Sequence, residues 1–373
     1  MNIAIDARSS NLHAGSGIGT YTKNLVLNLI DNIDTNFELI WTGNYKYLLP
    51  KKNNLNIHIT SGHNNNFFEN YYVPNLLNEK KIDLFHIPQN GIGIPIDCDI
   101  DIVVTIHDLI PYIMPETVGK GYLERFLRDM PKIINKSKGI ITVSEYSKKD
   151  ILRFFPNCDK NKIFVTPLAA NSNFKPLNKD NCKKILKEKF NIYDDFCLYL
   201  GGFSPRKNVK GLIDSYKKIY SSLNKKIKLL IGGALRDDGL KLKEYVKSIG
   251  QENNIIFVGY IDDSYLPIFY NCSKAFIYPS FYEGFGLPPL EAMSCKCPVI
   301  TSNISSIPEV TLNNALLFDP SNIDDLSSSM LTLLNNDSLQ EEYSERGFKR
   351  SLEFSWKKTS DLTLENYKKI KAL

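Results

Sequence analysis

Short apolar runs alternate with longer amphipathic stretches along this chain, and the alternation occurs twice, on either side of a Pro- and Asn-rich break at Pro167–Pro176. Residues 3–7 (Ile-Ala-Ile-Asp-Ala) lead through Gly15-Ser16-Gly17-Ile18-Gly19 into Tyr21–Ile30, where Leu25, Val26, Leu29 and Ile30 recur at helical spacing. Strand, glycine loop and helix therefore open the chain. Apolar runs near 38–41, 57–59, 83–87, 102–106 and 139–143 continue the rhythm. After the break the pattern restarts: Phe196–Leu200 runs into Gly201-Gly202, a helix is expected from about 208, and Lys228–Ile231, Ile255–Val258, Ala275–Tyr278 and Pro298–Thr301 read as strands. Such runs, separated by helix-length stretches, mark mostly parallel sheets covered on both faces. Two α/β domains are expected, 1–168 and 169–356, with a Lys-rich last helix over 357–373 returning to pack on the first. The length of 373 residues suits two domains of roughly 150 residues each. Doubly wound sheets gather their ligand loops at strand carboxyl ends, so a shared cleft is the expected site.

Composition narrows the function classes. With 43% hydrophobic and 11% aromatic residues the chain is globular, and 46 Lys+Arg against 41 Asp+Glu leave a surplus of 46 − 41 = +5, too dilute to point to nucleic acid as a partner. The seven cysteines are scattered and odd in number, as in a reduced, cytoplasmic protein, and Cys295-x-Cys297 lacks the second ligand pair a zinc site needs. Neither a leader at Met1–Asp6 nor an apolar run of roughly 18 residues is present, so no membrane-spanning segment is expected.

The segment Pro279-Ser-Phe-Tyr-Glu283-Gly284-Phe285-Gly286-Leu287-Pro288-Pro289-Leu290-Glu291-Ala292-Met293 carries the chemistry. A strand ends in a glycine loop that opens a helix, with prolines in the first turn where missing amide hydrogens cost least. Amides at such a helix start bind oxyanions. Glu283 and Glu291 flank it, and carboxylates beside an anion site suit a ligand whose phosphates lie between two polyols, one Glu on a hexose and the other on a ribose. A nucleotide sugar has that form.

This segment resembles the E-x7-E motif of the retaining glycosyltransferases of glycosyltransferase family 4. The resemblance extends to Ile5-Asp6-Ala7-Arg8 with Gly17-Ile18-Gly19, to Thr105-Ile-His107-Asp108, to Val143-Ser144-Glu145, to Gly201-Gly-Phe-Ser-Pro-Arg206-Lys207-Asn208 and to Phe354-Ser-Trp356, covering nearly the whole chain. It implies the GT-B fold: two doubly wound Rossmann-like domains facing across a cleft, the first binding acceptor and the second the nucleotide-sugar donor, with the C-terminal helix returning to the first domain. It assigns Glu283 to donor-sugar hydroxyls, Glu291 to the ribose, and the backbone of Gly284, Phe285, Gly286 and Leu287 to sugar or phosphate. Arg206 and Lys207 are expected at the diphosphate, His107 at sugar hydroxyls near the reacting carbon, and Gly17 and Gly19 in the loop beside the diphosphate. Many family members carry Arg directly after the strand's glycine, where Gly202 stands, and Arg206 is expected to substitute. Asp108 either orients His107 or caps the following turn, and Asp6 and Arg8 either pair with each other or meet ligand. Backbone near Tyr260 and Ile261 is expected to read the base.

The resemblance also implies retention of anomeric configuration by same-face substitution, with the leaving phosphate assisting the acceptor hydroxyl and no metal or other cofactor. Asp97-Cys-Asp99 and Asp99-Ile-Asp101 match D-x-D but precede a strand, and they read as a solvated loop. The opening Ile-Asp-Ala-Arg with Pro-Arg-Lys-Asn resembles the mannosyltransferase-rich branch of the family in bacterial surface polysaccharide synthesis, so GDP-mannose is the first donor, with UDP-hexoses as the alternative. A saccharide or lipid-linked saccharide acceptor is expected on the loops 61–72 and 109–121, and domain closure at hinges near 168–176 and 350–356. Arg125, Arg128, Lys132 and Lys136 fall on one helical face, with Tyr122, Phe126, Met130 and Ile133 toward the other and Pro131 expected to kink or interrupt the helix. An anionic inner-membrane surface is the partner such a stripe suits, a plain solvated face being the alternative.

Three rivals are weaker. A dinucleotide-dependent oxidoreductase needs a glycine where Thr20 stands. A sugar-nucleotide epimerase is not expected to carry the Glu283/Glu291 arrangement. A noncatalytic sugar-nucleotide binder would bind donor without transfer or hydrolysis.

Overall fold

A computed structural model describes residues 1–45, 49–62, 67–95 and 98–373. Contacts divide the chain into two compact units, Met1–Leu168 with Ser355–Leu373, and Ala169–Phe354. Among the described residues the first is built on seven strands: β1 (Asn2–Asp6), β2 (Asn36–Trp41), β3 (Leu55–Ile59), β4 (Leu84–Ile87), β5 (Asp101–Ile106), β6 (Gly139–Thr142) and β7 (Ile163–Val165). Their order is β3-β2-β1-β4-β5-β6-β7, all parallel, with Ile5 facing Leu39 on one side and His86 on the other. Ile3, Ala4 and Ile5 are fully buried, which is why the strand reads as an unbroken apolar run.

The second unit carries six parallel strands, β8 (Phe196–Leu200), β9 (Lys228–Gly232), β10 (Ile255–Gly259), β11 (Phe276–Tyr278), β12 (Val299–Ser302) and β13 (Leu316–Phe318), in the order β10-β9-β8-β11-β12-β13. Strand order reverses direction between β1 and β4 in one unit and between β8 and β11 in the other. Those are the crevices where doubly wound sheets bind ligands, outside the strands' carboxyl ends.

The helix Gly17–Leu29 starts at Ser16, whose Oγ accepts from the Gly19 amide at 3.2 Å, and buries Tyr21, Leu25, Val26 and Leu29. Ser355 likewise caps the last helix, Trp356–Ala372. That helix packs within the first unit: Thr359 Oγ1 donates to the Pro167 carbonyl at 2.7 Å, and Asn366 Nδ2 donates to Thr166 Oγ1 at 3.1 Å.

Strands β7 and β13 add to those read from the sequence, and two expectations differ. Pro131 does not interrupt its helix, which runs continuously over Lys120–Lys136; Pro131 is solvent-exposed, and the Leu127 carbonyl it leaves without an amide accepts from the Tyr112 hydroxyl at 3.5 Å. Tyr122, placed on the buried side by spacing, is exposed. The basic face itself is partly neutralised: Arg128 donates to Asp129 at 2.8 Å, Arg125 lies 3.6 Å from both Glu69 and Asp129, and Lys136 Nζ donates to the Cys98 carbonyl. Among the described residues no helix is long and apolar enough to cross a membrane.

Candidate functional site

In the second unit, three chain segments beyond β8, β11 and β12 meet at Glu283. The tight turn Pro205–Lys207 follows β8, and the Arg206 carbonyl accepts from the Phe281 amide at 2.8 Å, joining it to the glycine loop after β11. Glu283 Oε1 accepts from Arg206 Nη1 at 2.9 Å, Lys207 Nζ at 2.6 Å and the Tyr278 hydroxyl at 3.0 Å. Arg206 also donates to the Tyr282 carbonyl. From beyond β12, Ser305 Oγ accepts the Glu283 amide at 3.1 Å, and Ser306 Oγ lies 2.8 Å from the Glu283 carbonyl and 2.9 Å from that of Phe285.

All three charged side chains are largely buried, at 14%, 14% and 12% exposure. Burial alone would raise the Glu283 carboxyl, but the Lys207 ammonium and the Arg206 guanidinium outweigh it and hold the group down at about 2. Glu283 is therefore ionised at neutral pH, and the trio carries a net charge of 2 − 1 = +1.

Gly286, at φ 110°, occupies the left-handed region at the start of the helix Leu287–Ser294, and a Cβ there would come within 2.7 Å of Ile307. Pro288 and Pro289 follow without amide hydrogens. The amides of Phe285, Gly286 and Leu287 meet no acceptor among the described residues, and the helix dipole adds partial positive charge there. Glu291 lies one turn further along that helix and accepts from the Tyr270 hydroxyl at 3.2 Å. Burial, with no cation close enough to offset it, pushes its carboxyl up to about 7. The two glutamates of the motif thus have carboxyl pKa values shifted in opposite directions, a difference their spacing does not reveal. Ile261 is buried beyond β10, and its neighbour Tyr260 projects into solvent.

In the first unit, His107 follows β5 and is 7% exposed. Its Nε2 lies 2.8 Å from the Pro88 carbonyl, which can only accept, so Nε2 carries the hydrogen and Nδ1 the lone pair. Burial lowers its pKa to about 4, leaving the imidazole neutral at pH 7. Asn90 Oδ1 accepts the His107 amide at 2.9 Å. Asp108 takes the capping alternative, with Oδ1 accepting from the Ile110 amide at 3.1 Å.

Asp6 and Arg8 take the pairing alternative. Arg8 Nε and Nη2 donate to the two Asp6 oxygens at 2.8 and 2.7 Å, both residues are buried, and Gln89 Nε2 donates to Asp6 Oδ2 at 2.6 Å. Gly19 has its amide committed to Ser16, and a Cβ on it would come within 2.1 Å of the His13 carbonyl; close chain packing explains this glycine. Gly17 opens the same helix and is exposed. Asp97 and residues 63–66 of the expected acceptor loop lie outside the described residues.

The structure therefore brings Arg206, Lys207, Glu283 and the amides through Leu287 together, and sets Glu291 one turn away. Sequence reasoning missed Tyr278, Tyr270, Ser305 and Ser306. Tyr278 carries a faint signal as the last residue of a strand before the glycine loop; the others reach the site only through tertiary packing.

Two family models match the chain, Glycosyltransferase Family 4 over residues 16–173 and Glycosyl transferases group 1 over 183–350. The O-antigen chain mannosyltransferase B of Escherichia coli is 34% identical over 266 residues, covering 71% of this chain and 70% of its own. Among solved structures, sucrose-phosphate synthase from Thermosynechococcus elongatus superposes with a TM-score of 0.77 at 20% identity, covering 100% of this chain and 99% of that one. Anabaena HepE in complex with UDP and glucose superposes at 0.77 and 16% identity, covering 99% and 100%. These likenesses show the fold, two parallel-sheet Rossmann-like units of the GT-B type.

Proposed function

The chain belongs to glycosyltransferase family 4, and on that premise we propose that it transfers mannose from GDP-mannose to a saccharide or lipid-linked saccharide acceptor in bacterial surface polysaccharide synthesis. The observation that carries the reading is the sharing of Glu283 Oε1 by Arg206 and Lys207 beside three consecutive unpaired amides. Such a site attracts a diphosphate through two fixed cations and a helix start, and offers a carboxylate to sugar hydroxyls. The mannosyltransferase relative supports the sugar. HepE, holding UDP and glucose, supports a UDP-hexose as the second reading.

In this reading the bond between the anomeric carbon and the diphosphate oxygen breaks while the acceptor oxygen bonds to the same face of that carbon. The acceptor's proton passes to the departing phosphate oxygen, giving free nucleoside diphosphate and a product of retained configuration. Negative charge grows on the leaving group, and Arg206, Lys207 and the amides of Phe285 to Leu287 are the groups that offset it. Two cations gathered beside the unpaired amides support a reaction that needs no divalent metal. Glu283 accepts from donor-sugar hydroxyls, Glu291 from the ribose, and the lone pair on His107 Nδ1 from a sugar hydroxyl near the reacting carbon. Exposed Tyr260 and the backbone beside Ile261 are the proposed base contacts. Arg128 and Lys132, exposed on their helix, are the proposed contact with an anionic membrane surface.

The test offers GDP-mannose with mannose-terminated oligosaccharides and reads the product by NMR. An α-linked mannoside, formed equally with EDTA, is the expected result. A β-linked product contradicts retention, and turnover only of a UDP-hexose shifts the donor to the second reading.

A further inference from the structure

The polar core of the first unit contains a continuous chain of four side chains that the proposed chemistry does not use. The Tyr367 hydroxyl, on the last helix, lies 2.6 Å from His86 Nδ1; His86 Nε2 lies 2.8 Å from Thr105 Oγ1; and Thr105 Oγ1 lies 3.0 Å from the Tyr21 hydroxyl. All four residues are fully buried. Tyr367 meets no other hydrogen-bond partner among the described residues, so its proton goes to Nδ1, and the neutral imidazole of His86 donates from Nε2 to Thr105.

At its far end the chain reaches His107. The Tyr21 ring stands edge-on to the His107 imidazole, centroids 4.8 Å apart at 85°, and lies 6.3 Å from the ring of Trp356 on the last helix. The last helix therefore meets Tyr21 twice, through Trp356 and through the hydrogen-bonded chain. A polar chain in a core costs free energy unless every member is satisfied, and an apolar packing of similar shape would hold the fold comparably well. What the polar chain adds is a single fixed arrangement of the rings.

We propose that Tyr367, His86, Thr105 and Tyr21 are positioning residues for His107: the network fixes the Tyr21 ring, which, with the Pro88 carbonyl on Nε2, sets the direction of the Nδ1 lone pair. The inference rests on the reading of His107 as a donor-sugar contact. Thr105 is the hub, since its hydroxyl joins His86 to Tyr21.

The test uses the full chain with Thr105→Val, which removes the hub hydroxyl at nearly constant shape, Thr105→Ser, which keeps it, and Tyr367→Phe. The chain has five histidines, so the His107 ring signals are assigned by NMR from their loss in His107→Ala. These signals should shift in Thr105→Val and Tyr367→Phe and return in Thr105→Ser. Hydrolysis of GDP-mannose and of UDP-glucose is measured in parallel. Thr105→Val should lower kcat about tenfold, with the donor KM within about twofold, and add no loss on top of His107→Ala. Unchanged ring signals in both variants, or the same fold loss in the His107→Ala background, overturn the proposal. Full kcat in His107→Ala removes the donor reading of His107 instead, and the ring signals then decide whether the network orients it, as they do if neither nucleotide sugar is hydrolysed.

Discussion

Lys207 Nζ lies 2.6 Å from Glu283 Oε1, the oxygen that Arg206 also reaches at 2.9 Å, so one carboxylate holds both cations. On the proposed reading Glu283 has two tasks, holding Arg206 and Lys207 together and accepting from donor-sugar hydroxyls.

That double task makes Glu283→Gln informative. Removing one member of a buried ion cluster leaves like charges facing each other, so the nucleotide-free variant should lose about 2–4 kcal/mol of stability. GDP, which no longer competes with a carboxylate for the cations, should bind more tightly than to the wild type, while transfer falls at least about a hundredfold. Calorimetric titration with GDP checks the first claim and turnover the second; weaker GDP binding contradicts the competition.

The two glutamates should act oppositely on stability as pH changes. Glu291, raised from 4.5 to about 7, binds its proton more tightly folded than unfolded, so stability falls as pH rises from about 4.5 through 7. The full loss, about 3 kcal/mol at most, is present above pH 7. Glu283, held down at about 2, contributes stability above pH 4.5 that is lost as pH falls toward 2. Glu291→Gln should therefore melt several degrees above the wild type at pH 8 and level with it at pH 4.5. Equal melting temperatures at both pH values contradict the burial argument.

Gly19→Ala should destabilise the first unit by about 3 kcal/mol or more, because its Cβ meets the His13 carbonyl, backbone that cannot swing aside. Chemical denaturation reads this without any substrate. A variant of wild-type stability would show that the loop before the helix yields.

Much of the fold was legible because parallel strands buried on both faces write themselves as unbroken apolar runs, as Ile3–Ile5 and Phe196–Leu200 do. Arg206 and Lys207, and separately Glu283, were legible because each follows a strand end marked by glycine or proline and falls in a segment that matches the family, but their meeting was not. The opposite pKa shifts of Glu283 and Glu291 were not, since they depend on Lys207 and Arg206 reaching one and burial without a nearby cation dominating the other. Nor was the link from Tyr367 to Tyr21, whose members lie far apart in the chain and meet only when the last helix docks.

On the proposed reading Arg206 and Lys207, with the amides of Phe285 to Leu287, hold the diphosphate of a nucleotide sugar without a metal. Calorimetric titration of GDP-mannose into the wild type and Lys207→Ala, both in EDTA, tests it most directly, with UDP-glucose run alongside for the second donor. Saturable binding to the wild type in EDTA, weakened at least about tenfold in Lys207→Ala, is the predicted result. Binding of neither nucleotide sugar without added metal, or equal affinity in the two proteins, would contradict it.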